Sequence, residues 1–462
     1  MPLGDNDAVS NVCESGDAPW DSFDPRGMIP LAEIVETGSE PEITAPIYPG
    51  LGCGFFTVSL IISTIRRACS VMIAPALCAH NARLLVSHWE HSSMDIENNL
   101  VFILYEEDDI IHGAAEKIRQ ALIEIYEQNR PDVLFVVTSC LTEIVGEDVE
   151  AVVRQVRGTI PIPVLFIKTE NFTTLTARQG MENTLSSLMD LMEPGGERLK
   201  NSVNIIGSNA REFPCTELSW VLEKAGFRIN TVFPSRCDLG LLRSAPRAEY
   251  NILMNRNCAT LADNMEREFG IPYFRFEQAY APESILAKYR DLGDFLGVDL
   301  QPYAQSGHEK LQKAILAARE KLGNSSIILS LSMGRIFDLA ILLSLAGMKI
   351  PVIANFEMTD DDRADACRLL ELSESTRVVK NISWHPLDEC IARIRPDYFL
   401  AFGGPEAPYC AGYGVKHRNV TFRPHLNGFE AAVRIFETLI KGKPGYSTLV
   451  LREEMRAKAG VA

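Results

Sequence analysis

Eleven cysteines and eight histidines are spread through the 462 residues, and no two cysteines form a CxxC or CxxxC pair. That excludes ferredoxin-type and zinc-ribbon spacing, in which ligands gather locally. Three cysteines still occupy positions with chemical meaning. Cys53 lies in the Gly-rich turn PGLGCGFF, Cys78 follows the apolar run VMIAPA, and Cys140 follows DVLFVVTS. Both runs read as buried strands, and parallel sheets present ligands at strand carboxyl ends. The separations are 25 residues (53 to 78) and 62 residues (78 to 140). Three thiolates converging on one edge could hold part of an iron–sulfur cluster, with the missing ligands supplied by another chain. Glycines beside Cys53 would let the backbone approach closely. The alternative is that each is a buried structural cysteine.

Cys258 opens the helical pattern CATLADNMEREFG. A thiol at a helix N-terminus feels the positive end of the dipole, which favours thiolate; the alternative is a helix-start cysteine without function. Arg335 sits between a strand and a helix in LSMGRIFDLA. Such a turn offers a cation and free backbone N–H groups to an anion; a surface arginine is the alternative. Two histidines, His417 and His425, lie in GVKHRNVTFRPHLNGFEA. His425 is preferred, because it follows the strand NVTF and precedes a helix starting near Gly428. For either one, a structural histidine is the alternative. Cys13, Cys69, Cys215, Cys237, Cys367, Cys390 and Cys410 read as ordinary thiols.

These residues need a scaffold that brings strand ends together. Residues 1–44 are polar and acidic and read as an extended arm, or as disordered until a partner covers them. Residues 45–195 alternate strands (71–76, 132–139, 164–169) with helices (114–129, 147–157). After the break at Glu193-Pro194-Gly195-Gly196, residues 196–324 hold strands at 202–208 and 248–255 and helices at 216–229 and 258–270. Residues 325–462 hold strands at 325–332, 350–356, 397–403 and 419–422 and helices at 337–347 and 428–441. Strand–helix–strand repetition predicts α/β architecture: three Rossmann-like, doubly wound parallel-sheet domains with cluster sites between them.

The formal net charge is −16, with 46% hydrophobic and 23% charged residues. An acidic surface argues against nucleic acid or an anionic membrane as partner. The acidic start, without a basic stretch or apolar core, predicts no signal peptide. The longest apolar run, FFTVSLIISTI, is too short to span a bilayer. A cytoplasmic location is expected, where eleven thiols would not form a disulfide framework.

PGLGCGFF, PALCAHNAR, LYEEDDIIHGAAEKI and TSCLTEIVGEDVEAV, in this order and spacing, resemble the nitrogenase component 1 superfamily, as does the chain from about residue 45 to the C-terminus. The resemblance implies that Cys53, Cys78 and Cys140 hold half of a relay cluster, an [8Fe-7S] P-cluster or a [4Fe-4S] cluster, shared with a homologous K/N-type subunit in an α2β2 heterotetramer. An ATP-dependent [4Fe-4S] reductase protein would deliver electrons. No GxxxxGK[ST] loop occurs here, so this chain is not itself expected to be the ATPase.

Cys258 with Asn264-Met265-Glu266 and Gly270-Ile271-Pro272-Tyr273 resembles the motif of the catalytic, D/E-type subunit. Cys258 and His425 would then ligate a large cofactor of the [Fe8S9C] type, and Arg335 would cradle it. Alignment on Gly414 instead puts Thr421 at the family's histidine. Where nitrogenases carry a Gln and a His beside the substrate, this chain reads Ala177 and Met181; an arginine of that pocket falls near Val86. An apolar pocket of this kind suits a small thioether. The resemblance therefore points to a nitrogenase-like methylthio-alkane reductase, with Arg335 and Met181 as catalytic positions and methanethiol and a hydrocarbon as products. The alternatives are a nitrogenase cofactor-assembly scaffold and a tetrapyrrole reductase of the protochlorophyllide type. A plain Rossmann-like binder does not explain four matching cysteine segments.

Overall fold

The structure, a computed structural model, describes residues 28–38, 53–90, 96–97, 99–169, 178–208, 213–331, 335–354, 358, 360–380, 382, 384–401, 406–419 and 428–441. The described chain opens with β1 (Ile29–Pro30) and α1 (Leu31–Thr37).

The first sheet follows. Helix α2 (Gly54–Ile62) leads into β2 (Ala68–Ala74), α3 (Ala76–Glu90), β3 (Leu100–Leu104), α4 (Glu107–His112) and α5 (Ala115–Asn129). Then come β4 (Val133–Thr138), α6 (Cys140–Val145), α7 (Val149–Val156), β5 (Val164–Ile167) and α8 (Arg178–Ser187). The strands pair in parallel in the order β3-β2-β4-β5. Every residue of β2 and β4 is buried, as expected of unbroken apolar strands covered on both faces.

The second sheet comprises β6 (Leu199–Ser208), α9 (Glu217–Lys224), β7 (Arg228–Pro234), α10 (Leu239–Ser244), β8 (Ala248–Leu253), α11 (Ala259–Phe269) and β9 (Tyr273–Arg275), in the parallel order β7-β6-β8-β9. The sequence pattern predicts a single helix over 216–229, but the helix stops at Lys224. Gly226 takes φ +87°, a left-handed conformation that ends helices. The β-branched Ile229, Thr231 and Val232 then continue as strand. Two long helices follow, α12 (Pro282–Leu296) and α13 (Gln301–Leu322).

The third sheet holds β10 (Ser326–Ser330), α14 (Ile336–Leu345), β11 (Lys349–Ala354), α15 (Asp360–Leu372), β12 (Arg377–Val379), α16 (Trp384–Ile394), β13 (Tyr398–Ala401), α17 (Ala407–Gly412), β14 (Lys416–Asn419) and α18 (Gly428–Lys441). Its order is β1-β12-β11-β10-β13-β14, parallel except for β1. The strand expected over 419–422 is instead Lys416–Asn419, and 420–422 lie outside the described residues. The expectation of an extended arm over 1–44 also needs correction. At 28–38, β1 pairs antiparallel with β12, and α1 buries Leu31 and Ile34 completely or nearly so. Apolar positions three residues apart give α1 a face that the third sheet's core can cover.

One apolar core joins the first sheet to the second, through Phe135, Val137, Ile206 and Leu253. Another joins the second to the third, through Ile205, Ile252, Leu329 and Phe337. The second junction is also pinned by two carboxylates, Asp338 fully buried and Glu217 partly so, each at the start of a helix of the other unit. Asp338 on α14 accepts hydrogen bonds from Tyr280 N (2.6 Å), Ala281 N (3.1 Å) and Ser284 Oγ (2.6 Å), at the start of α12. Glu217 on α9 accepts from Phe429 N (3.2 Å) and Glu430 N (2.9 Å), at the start of α18, and from Tyr289 Oη (2.8 Å). Acceptors there satisfy N–H groups that a helix leaves unpaired and complement its dipole. Gly428 stands where a Cβ would collide with Glu217. Among the described residues, no helix is long and apolar enough to cross a membrane.

Glu217→Ala should destabilise the protein by about 1–3 kcal/mol, because buried donors lose their acceptor. A urea unfolding midpoint unchanged from the wild type would contradict this role.

Candidate functional site

In each sheet two adjacent central strands send their connections in opposite directions. The crevice this opens at the carboxyl ends is where parallel sheets bind ligands. In the first sheet it lies between β2 and β4, in the second between β6 and β8, and in the third between β10 and β13. Cys78 and Cys140 follow β2 and β4, Cys258 follows β8, and Arg335 follows β10.

The first crevice is built from helix N-termini. Cys53 is the N-cap of α2, Cys140 is the first residue of α6, and Cys78 is the third residue of α3. All three thiols are partly buried. Burial raises the Cys53 pKa, while N–H groups of Phe56 and Phe55 at the helix start pull it down. Cys78 is raised by burial and then by the charges of Cys140 and Cys53, so the three sulfurs lie within electrostatic reach of one another. Glu143, one turn beyond Cys140, accepts from Thr138 Oγ1 (2.7 Å) and Thr169 N (2.8 Å), tying α6 to the ends of β4 and β5. Glu147 Oε2, between α6 and α7, accepts from Ala114 N (2.9 Å), at the start of α5, and from Tyr105 Oη (3.2 Å), just before α4, so the segment after α6 is tied to both ends of α4. Around these helices Leu77, Ile111 and Ile144 are 70%, 71% and 64% exposed. Among the described residues, no three His, Cys, Asp or Glu side chains form a group that could hold a metal ion. Thiols on an open apolar edge suit half of a shared cluster, with N–H dipoles in place of a cation.

The second crevice is closed. Cys258 ends the short 3-10 turn Arg256–Cys258 and caps α11, as the sequence predicts, but its side chain is 1% exposed. Burial, with the charge of Glu182 second, pushes its thiol well up. The expected helix-dipole activation is outweighed by desolvation. Gly207, at the end of β6, has φ +88°, and a Cβ there would sit 2.8 Å from Cys258 Sγ and 2.7 Å from Asn255 Cβ. Only glycine allows this approach; nothing in the sequence pattern singles Gly207 out, because its neighbour is supplied by another strand.

In the third crevice Arg335 caps α14 in a left-handed conformation, φ +63°, and is 7% exposed. It is not a free cation. Nε donates to Asp365 Oδ2 (2.8 Å), Nη2 to Asp365 Oδ1 (3.3 Å) and Nη1 to Asp361 Oδ2 (3.2 Å). Asp338 Oδ1 lies 3.7 Å from Nη2. The expectation of a cation open to an anion is therefore corrected. The acidic run TDDDRAD, which starts the next helix, supplies the counter-charge.

His425, Thr421 and Ala177 lie outside the described residues. His417 lies within β14, paired with Phe399 rather than at a strand end, and its ring stacks on that of Phe399 at 6.0 Å. Its Nε2 is 3.8 Å from Oε2 of the buried Glu406. Phe399 belongs to the core beneath α16 and α17, so His417 is turned away from the crevice. Met181, on α8, packs against the same core that buries Val86 and Cys258. Cys258 and Arg335, with the histidine outside the described residues, do not fit a permanently ligated cofactor: the thiol is enclosed and the guanidinium already paired.

Residues 53–432 match the family described as nitrogenase component 1 type oxidoreductase. The nitrogenase iron-molybdenum cofactor biosynthesis protein NifE of Nostoc sp. is 26% identical over 342 residues, 69% of this chain and 68% of that protein. The nitrogenase molybdenum-iron protein alpha chain of Clostridium pasteurianum is 27% identical over 173 residues, 37% of this chain and 32% of that one. Among solved structures, nitrogenase Cp1 at pH 6.5 shares the fold, with a TM-score of 0.69 and 19% identity over 87% of this chain and 90% of that one.

Gly207→Ala should both strain the backbone and displace Cys258, lowering the unfolding midpoint and increasing Cys258 labelling by a thiol reagent. Unchanged labelling and stability would refute the contact. Asp365 supplies a pH test. Its carboxyl is pushed up to about 6 by burial first and then by Asp338, against the pull of Arg335 and Arg368. A carboxyl raised in the folded state stabilises fully below its ordinary value of 3.8 and loses that contribution as pH rises through about 6. The unfolding free energy of the wild type relative to Asp365→Asn should therefore fall across that window. A flat or rising difference would contradict the assignment.

Proposed function

This chain belongs to the nitrogenase component 1 type oxidoreductase family, and we propose that within it the chain is a scaffold subunit on which an iron–sulfur cofactor is assembled and then released. The observation that carries this is Arg335: its guanidinium is spent on Asp365 and Asp361, where a permanent anionic cofactor would need it free. The resemblance to a NifE protein over two thirds of its length supports the same reading. In it the large cluster is cargo, and Cys258 is the residue that receives it.

Cys53, Cys78 and Cys140 would hold half of a relay cluster, the other half coming from a homologous subunit; once bound, that cluster supplies one-electron transfer. The N–H groups of α2 stabilise negative charge on Cys53, and Glu143 holds α6 and Cys140 in place. The apolar side chains exposed on α3, α4 and α6 form the face a partner subunit would cover. An ATP-dependent iron protein would supply electrons.

The second reading is the thioether reductase, favoured by the apolar Met181 and Val86. Both pack in a core cluster, which supports the scaffold reading more than an apolar substrate chamber.

The full chain, isolated anaerobically with its bound cargo and combined with its homologous subunit, the iron protein and ATP, should load a cofactor-free nitrogenase with active cofactor and release no methanethiol from dimethyl sulfide. Methanethiol without transfer would instead establish the reductase. Cys258→Ala should keep the relay-cluster iron and lose the second pool in anaerobic iron analysis; loss of both pools would mean that Cys258 serves the relay site.

A further inference from the structure

The helices that meet at the second junction enclose a groove away from the assigned thiols. Its volume is about 590 Å³, within the roughly 300–1,000 Å³ typical of small-molecule sites. Trp220 of α9, Tyr303 and Lys310 of α13, and Phe429 and Val433 of α18 line it. The rings are fixed before any ligand arrives. Tyr303 Oη donates to Lys224 O (3.2 Å), and the Tyr303 ring meets that of Trp220 edge to face, centroids 5.8 Å apart. Phe429 stacks on Tyr289 at 6.1 Å and packs against Gly307, where a Cβ would collide with its ring. Trp220 is nonetheless 46% exposed. Rings held in place yet open to water offer an aromatic ligand a preformed surface. The charges in the groove are unequal. Glu217 is committed to Phe429 N, Glu430 N and Tyr289 Oη, and Glu430 accepts from Arg434 Nη2 (2.8 Å). Lys310, two helical turns beyond Tyr303 on the same face of α13, makes no ion pair among the described residues. The carboxylates are satisfied and one cation is uncommitted.

We propose that this groove binds a planar aromatic molecule carrying one anionic group, the ring lying against Trp220 and Tyr303 and the anion reaching Lys310. A mononucleotide and an aromatic carboxylate share that chemistry. Such a ligand touches α9, α13 and α18 together and so bridges the second and third units. Binding here is independent of the cluster sites, because none of Cys53, Cys78, Cys140 and Cys258 lines the groove.

Two exposed thiols supply the test. Cys215 lines the groove, while Cys367 lies on α15 outside it. Their labelling by iodoacetamide in the full chain, resolved by peptide mass spectrometry, reads the groove against an internal control. Adenosine monophosphate and indoleacetate are the anionic probes; adenosine and indole present the ring alone, inorganic phosphate the charge alone. At millimolar concentration at least one anionic probe should slow Cys215 labelling several-fold and leave Cys367 unchanged, and the one that does so identifies the source. Rings alone and phosphate should protect less. Lys310→Ala should weaken protection by the anionic probe several-fold without altering that by its neutral ring, and Trp220→Ala should remove both. The groove assignment is overturned if neither anionic probe protects Cys215, if Cys367 is protected equally, if phosphate protects as well as the intact probe, or if Lys310→Ala leaves protection intact.

Discussion

Parallel pairing is the constraint on which this molecule depends. Strands running the same way cannot be joined by a tight turn, so every connection must cross over a face of the sheet, and the crossovers share one hand. In each sheet the chain lays down one strand (β2, β6 or β10) that ends with neighbours on both sides. Two connections then diverge, and backbone geometry alone creates a gap that side chains must fill. The four described residues with the strongest chemical case for strand-end sites, Cys78, Cys140, Cys258 and Arg335, stand at these gaps. The scaffold thus selects positions, and chemistry depends on what occupies them.

The occupants solve opposite electrostatic problems. Around Cys53, Cys78 and Cys140, helix N-termini supply partial positive charge without any ion, and the edge stays open. Around Cys258 the crevice is filled by apolar packing against Gly207, and the thiol is held neutral by burial. Around Arg335 a full positive charge is buried and cancelled by acids from the next helix. Only the first arrangement presents its ligands outward.

Much of this was legible along the chain. The unbroken apolar runs 71–76 and 132–139 marked strands buried on both faces, and residues directly after them followed as strand-end positions. What was not legible depended on distant partners. The counter-charge on Arg335 comes from α15, thirty residues on. The enclosure of Cys258 depends on a glycine from another strand. The segment 28–38 looked like part of a polar arm because its few buried residues, Met28, Leu31 and Ile34, sit beside a long polar stretch, and β1 finds its partner some 350 residues away at Val378. Local pattern reports propensity; it does not report which neighbour will neutralise a charge or cover a face.

The two carboxylates exchanged between the second and third units bear on how this part of the protein comes apart. Fraying at the start of α12 takes backbone donors from Asp338 in its own unit's core, and fraying at the start of α18 takes them from the partly buried Glu217. Neither helix end can open without costing the carboxylate on the opposite side its backbone donors. The two sheets therefore form one cooperative block, in which partial opening is penalised from both directions. Slow amide exchange should extend across their shared boundary as a single protected foldon rather than stopping at the sheet edges.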